Sequence, residues 1–272
     1  MDYFNYQFTT AQPDIIVAFL GEHPFDTFEP TENGVHAFIP ANQQSPEIEA
    51  AARTLAERFD ATLKVEHIPA QNWNAVWEAG FQPIRVDDFV GIRADFHPPT
   101  EDVRFDLLIN PKMAFGTGYH ATTYQMVQAM RELNFTGQKV LDYGCGTGVL
   151  AILAKKLGTD KVVAVDIEQP SYENTLENAR LNDTPDLTVI HGTLDDIQDD
   201  GYGVVLANIN RHVILASLAT LRQKITPGGT LLLSGILLAD EELVRSAVAK
   251  NGFELVRRSE REGWLCLGAE RM

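Results

Sequence analysis

The chain has 272 residues, 44% of them hydrophobic, enough apolar material for one large or two modest cores. Its 22 Lys and Arg against 38 Asp and Glu leave a formal net charge of −16, a surface that repels phosphate backbones and attracts a basic protein, so no direct nucleic-acid partner is expected. No apolar run reaches membrane-spanning length and the first residues lack a signal-peptide pattern, so with the two distant cysteines, Cys145 and Cys266, read as reduced thiols, the chain is expected to be cytoplasmic and free of the membrane.

Taken in order, residues 1–69 read as a small α+β unit. Tyr3 to Thr9 alternates like a strand. Pro13 to Gly21 is a helix, Phe25 to Glu29 a short strand, and Asn33-Gly34 a hairpin turn into the strand Val35 to Ile39. Ser45-Pro46 opens a helix to Phe59, with Pro46 at its first position and Glu47 and Glu49 in its first turn. Leu63 to Ile68 is the fourth strand. The order β-α-β-β-α-β is that of a ferredoxin-like split unit. It holds no catalytic cluster, so recognition of a substrate is its expected role.

Residues 70–104 read as a connector. Asn72 to Ala79 forms a helix with Trp73 and Trp77 on one face, and Ile84 to Arg93 a strand pair turning at Asp87-Asp88. From Phe105 to the C-terminus the pattern alternates between strand and helix. Phe105 to Ile109 is a strand. A loop with Gly116 and Gly118 follows, a candidate lid, and Thr122 or Thr123 caps a helix from Tyr124 to Leu133. Later helices cover Ser171 to Asn182, with Ser171 as cap, then Arg211 to Ile225 and Asp240 to Asn251. Later strands cover Leu187 to His191, Tyr202 to Ala207, and Thr230 to Ser234 after a Pro227-Gly-Gly229 turn. Phe253 to Arg257 and Trp264 to Leu267 finish the chain as an antiparallel pair. Alternating βα units predict a parallel, doubly wound sheet, with ligands beyond the carboxyl ends of its strands.

The central stretch is Lys139-Val-Leu-Asp-Tyr-Gly-Cys-Gly-Thr-Gly148, running into the helix Val149 to Lys156. Gly144, Gly146 and Gly148 permit a tight turn that a ligand approaches closely. A dinucleotide site spaces its glycines as G-x-G-x-x-G. Here the third glycine comes one residue early and Val149 takes the dinucleotide position. Asp142, two residues before the first glycine, would repel a pyrophosphate and suit a cationic ligand. The next strand, Lys161 to Val165, ends in Asp166, 18 residues after Gly148, where an acid accepts both ribose hydroxyls of an adenosine. Adenosine joined to a cationic amino acid is S-adenosylmethionine. The competing reading of the same residues is a plain βαβ turn with a capping aspartate. Asn208, at another strand end, has a turn residue as its alternative. His120 has a structural loop histidine as its alternative, and Asp195-Asp196 reads as a solvent-facing pair.

The glycine motif, Asp166 and the strand pattern resemble the class I S-adenosylmethionine-dependent methyltransferases. Ala114-Phe-Gly-Thr-Gly-Tyr-His-Ala-Thr-Thr123, Asp142-Tyr-Gly-Cys-Gly-Thr-Gly148 and Ala207-Asn-Ile209 together resemble one family in that class, the ribosomal protein L-eleven methyltransferases. The resemblance is strong over residues 105–272. It implies a doubly wound seven-stranded Rossmann-like methyltransferase sheet, and an N-terminal domain that docks the substrate. It also implies S-adenosylmethionine as methyl donor without a metal, and amino groups of the basic ribosomal protein as acceptors, on lysine side chains, the N-terminus or both. A monomer is expected. The family's donor-site residues fall on Thr123, Gly144, Asp166 and Asn208, to which the turn itself adds Asp142, Gly146 and Gly148. Two departures, Tyr119 and Ala121 in the loop and Asn210 after Ile209, touch the mouth of the acceptor site.

Methyl transfer to an amine demands alignment and desolvation of the nucleophile, and a lysine of pKa about 10.4 must first lose its proton. Asn208 is the candidate for orienting the amine and His120 the candidate base. Other readings are a methyltransferase for another protein, a small amine or RNA, an NAD-dependent oxidoreductase, and a non-catalytic S-adenosylmethionine-binding regulator.

Overall fold

Tyr3–Thr9 (β1) buries alternate side chains, with Tyr6 and Phe8 beneath Ile16 and Leu20 of Pro13–Leu20 (α1). Thr27–Thr31 (β2), Gly34–Pro40 (β3), Pro46–Arg58 (α2) and Thr62–Ile68 (β4) complete this first unit. Its sheet has the order β2-β3-β1-β4 with every neighbour antiparallel. Ser45 caps α2 through a 3.4 Å bond from the Ile48 amide. Thr31 pairs with Gly34, so the hairpin turns at Glu32-Asn33, one residue earlier than the dipeptide Asn33-Gly34 suggests. A Cβ at Gly34 would lie 1.9 Å from the Phe8 carbonyl oxygen, so the glycine answers to the neighbouring strand.

The structure, a computed structural model, describes residues 2–68, 82–110 and 120–272. The chain divides into two compact units, Met1–Gly80 and Phe81–Met272. The helix expected over 72–79 with Trp73 and Trp77, and the glycines of the expected lid, lie outside the described residues.

In the second unit Ile84–Val86 (β5), Val90–Arg93 (β6) and Phe105–Leu108 (β7) form a three-stranded sheet of their own. The expected connector strands therefore pack onto β7, and β7 does not join the large sheet. Arg93 ties the layer together, its guanidinium meeting the Asp106 carboxylate at 2.8 Å.

The large sheet begins at Lys139–Tyr143 (β8), after Ala121–Met130 (α3). It continues through Val149–Lys156 (α4), Lys161–Asp166 (β9), Gln169–Leu181 (α5), Thr188–His191 (β10), Tyr202–Asn208 (β11) and Arg211–Lys224 (α6). Ile225–Leu237 (β12), Glu241–Lys250 (α7), Phe253–Arg261 (β13) and Trp264–Arg271 (β14) close the chain. The strand order is β10-β9-β8-β11-β12-β14-β13. The first five are parallel, and β14 runs antiparallel to both neighbours. Adjacent residues face opposite sides of a strand. Val140 packs with α3 and α4, and Leu141 with α6 and α7, so helices cover both faces as the pattern predicts.

Among the expected boundaries that move, three bear on the second unit. α3 starts at Ala121 and is capped by His120 rather than by a threonine. α5 starts at Gln169 after Glu168, which moves Ser171 from the cap into the first turn, where it is buried. Pro227-Gly228-Gly229 lies within β12 as an irregularity, since the register moves from Tyr202↔Ile225 to Val204↔Thr230.

Candidate functional site

The strand order reverses between β8 and β11, and a cavity of about 520 Å³ opens at their carboxyl ends. Gly144, Gly146 and Gly148 turn the chain from β8 into α4 with φ of +74°, +56° and +80°, a region costly for residues with a Cβ. A Cβ at Gly144 would lie 2.2 Å from Ile209 Cγ2. The turn is pinned to β9 where the Gly144 and Cys145 amides donate to the Val165 carbonyl at 2.8 and 3.1 Å.

The cavity brings together Thr123, Gly144, Gly146, Asp166, Asn208 and His120. Asp166 ends β9 with its carboxylate already oriented. One oxygen accepts the Gly146 amide at 2.9 Å, the other the Glu168 amide at 3.0 Å. Asn208 ends β11, and its side-chain amide donates to the Thr123 hydroxyl at 3.2 Å. Asn208 Oδ1 is buried and has no hydrogen-bond partner among the described residues.

Two residues expected at the ligand stand outside the lining. The Asp142 side chain is 1% exposed, and its Oδ2 accepts the Ala151 amide in the first turn of α4 at 3.0 Å. Burial pushes its pKa up to about 7, against the opposing pull of that amide and with a further rise from Asp166. This geometry is the capping aspartate of the alternative reading. Gly148 packs against α5, where a Cβ would lie 2.8 Å from Thr175 Cγ2. Cys145 is buried, and burial holds its thiol well above the ordinary range, so it is not a nucleophile at neutral pH.

His120 Nδ1 accepts the Thr122 amide at 3.4 Å and lies 2.9 Å from the Thr122 hydroxyl. The ring meets Trp264 edge-on, with centroids 4.6 Å apart. Trp264 enters from β14 and forms part of the cavity wall, a residue that sequence pattern did not single out. Nothing local marks it, because its place is set by antiparallel pairing of β14 with β12. Gly235 also lines the cavity. A Cβ there would lie 2.2 Å from the Ile209 carbonyl oxygen, and its signal was a glycine directly after a strand. Asp196 accepts the Thr193 amide at 2.8 Å in a capping box, so of the pair Asp195-Asp196 it is committed to a local turn.

Residues 17–272 match the family described as ribosomal protein L11 methyltransferase (PrmA). The chain belongs to the ribosomal protein L11 methyltransferase family. A ribosomal protein L11 methyltransferase of Porphyromonas gingivalis is 39% identical over 261 residues, 93% of this chain and 89% of the relative. One from Bacteroides fragilis is 35% identical over 276 residues, 97% of this chain and 98% of the relative. The crystal structure of a ribosomal protein L11 methylase from Lactobacillus delbrueckii subsp. bulgaricus superposes with a TM-score of 0.65 at 27% identity, covering 70% of this chain and 99% of that one. Among the described residues no group of three or more His, Cys, Asp or Glu is arranged to hold a metal, and no helix is long and apolar enough to cross a membrane.

Proposed function

We propose that the chain transfers methyl groups from S-adenosylmethionine to amino groups of ribosomal protein L11, on lysine side chains, the N-terminus or both. The observation that carries the chemistry is the buried Asn208 Oδ1, without a partner among the described residues, on the same cavity as the Asp166 carboxylate. The cavity suits the donor. Asp166 would accept ribose hydroxyls. Gly144 gives a backbone surface without a Cβ, and Val149, Leu150 and Ile167 supply apolar wall. When bound, S-adenosylmethionine supplies a methyl group activated by a sulfonium.

The chain's own residues would then orient the acceptor. Asn208 Oδ1 accepts an N–H of the amine and turns its lone pair into the cavity, while Thr123 holds the amide the right way round. The apolar wall disfavours an ammonium, so the neutral amine is the form that enters. His120 Nδ1 is engaged by Thr122, which supports a capping role over that of a base. Proton loss to solvent before entry is then the simplest route.

The relatives' names support ribosomal protein L11 as acceptor, and the net charge of −16 suits a basic ribosomal protein. The test incubates the purified chain and methyl-labelled S-adenosylmethionine with recombinant ribosomal protein L11, followed by peptide mapping. Label on lysine or N-terminal amines is expected. Label elsewhere overturns the acceptor chemistry, and no measurable donor binding overturns the donor.

A further inference from the structure

The helix α5 and its C-cap carry Asn174, Asn178 and Asn182 at four-residue spacing, hence on one face, and all three are buried. They act as a strand edge for the backbone that leaves β7. Asn182 takes both groups of Leu108, its Oδ1 accepting the amide at 2.9 Å and its Nδ2 donating to the carbonyl at 2.6 Å. Asn178 Oδ1 accepts the Asn110 amide at 3.0 Å, and Asn174 Nδ2 donates to the Asn110 carbonyl at 2.7 Å. An extended chain presents alternate residues on one side, which is why residues 108 and 110 are the ones held.

Asn178 alone among the three also reaches the glycine turn, where its Nδ2 donates to the Thr147 carbonyl at 2.9 Å. One turn of helix earlier, the Thr175 hydroxyl donates to the Gly146 carbonyl at 2.9 Å. Both carbonyls are thereby drawn towards α5. The Gly146 amide is left on the Asp166 carboxylate at 2.9 Å.

We infer that Asn178 is a positioning residue for the donor site, a buried amide that holds the glycine turn in register with the backbone at Asn110 and so sets the Gly146–Asp166 contact. The inference rests on the donor reading above. The position requires an acceptor and a donor at once, in a side chain of this length. An aspartate cannot donate, and an apolar residue leaves a buried amide and a buried carbonyl unpaired.

Asn182 provides the control. It is equally buried and holds the same backbone segment through as many bonds, but it does not touch the turn. The full-length variants Asn178→Ala and Asn182→Ala are compared by thermal melting, by amide exchange over residues 142–150, and by calorimetry with S-adenosylhomocysteine. Both variants should melt earlier. Only Asn178→Ala should exchange the Gly146 amide about tenfold faster and weaken binding about five- to tenfold. If Asn178→Ala does not fold, Thr175→Val keeps the volume, removes the hydroxyl from the Gly146 carbonyl, and should give the same two changes. Equal effects from Asn178 and Asn182 variants on exchange, or no effect from either, overturn the inference. Absence of binding to the unaltered protein would overturn the donor reading instead, while the exchange comparison still decides the role of Asn178.

Discussion

The Asn208 amide donates to the Thr123 hydroxyl at 3.2 Å across 85 residues of chain, joining the end of β11 to the first turn of α3. This bond leaves Oδ1 as the other end of the amide, buried and without a partner among the described residues. The first prediction tests the proposal that this amide orients an acceptor amine. Asn208→Ala should lower kcat by about tenfold or more and change donor affinity much less, because an orienting bond acts mainly in the transition state. Single-turnover transfer from pH 6 to 10 should rise with pH, since the neutral amine reacts. A flat profile with chemistry rate-limiting would show a tuned base.

Asp166 holds two backbone amides and faces the cavity. Asp166→Ala should weaken donor binding by about 1.5–3 kcal/mol, the loss of a charged partner for hydroxyl groups. Asp166→Asn, which keeps one oxygen, should lose less. Calorimetry that finds Asp166→Ala unchanged with the fold intact would remove Asp166 from the donor site.

Asp142 makes a prediction about stability. Its ordinary pKa of 3.8 is raised to about 7 in the folded chain, chiefly by burial. The folded state therefore holds a proton that the unfolded state has released across that window. Stability contributed by this group is present below 3.8 and falls as pH rises towards about 7. Asp142→Asn keeps an oxygen for the Ala151 amide and cannot ionise. It should flatten the dependence of Tm on pH between 4 and 7 and raise Tm at pH 8. An unchanged slope would mean that the carboxyl is ionised in the folded protein.

The first unit has its own core around Tyr6, Phe8 and Ile16, and every cavity residue named above follows Phe81. Deleting residues 1 to about 65 should leave S-adenosylhomocysteine binding intact and abolish methylation of whole ribosomal protein L11. Methylation at the full rate by the shortened chain would place acceptor docking in the second unit.

Much of this was legible from local pattern. The strand-turn-helix at 139–156, with its early third glycine, marked the turn that lines the cavity, because positive φ at closely spaced positions requires glycine. Asp166 and Asn208 were legible as strand ends, since a parallel sheet collects its ligands there. The seven strands of the large sheet follow from alternating apolar runs.

Tertiary structure decided the rest. Asp142 sits in the same motif as the glycine turn, yet its carboxylate turns inward to the Ala151 amide, because an unsatisfied helix terminus lies within its reach. His120, a loop residue by its place in the sequence, both caps α3 and lines the cavity. Trp264 reaches the cavity only through the pairing of β14 with β12. No local pattern sets the asparagines of α5 apart. Their buried role exists only because β7 and the glycine turn pack on that face. Composition and spacing determine which residues can turn, cap or bind. Which of those options a side chain takes depends on neighbours that are distant in sequence, and folding alone brings those neighbours within hydrogen-bonding range.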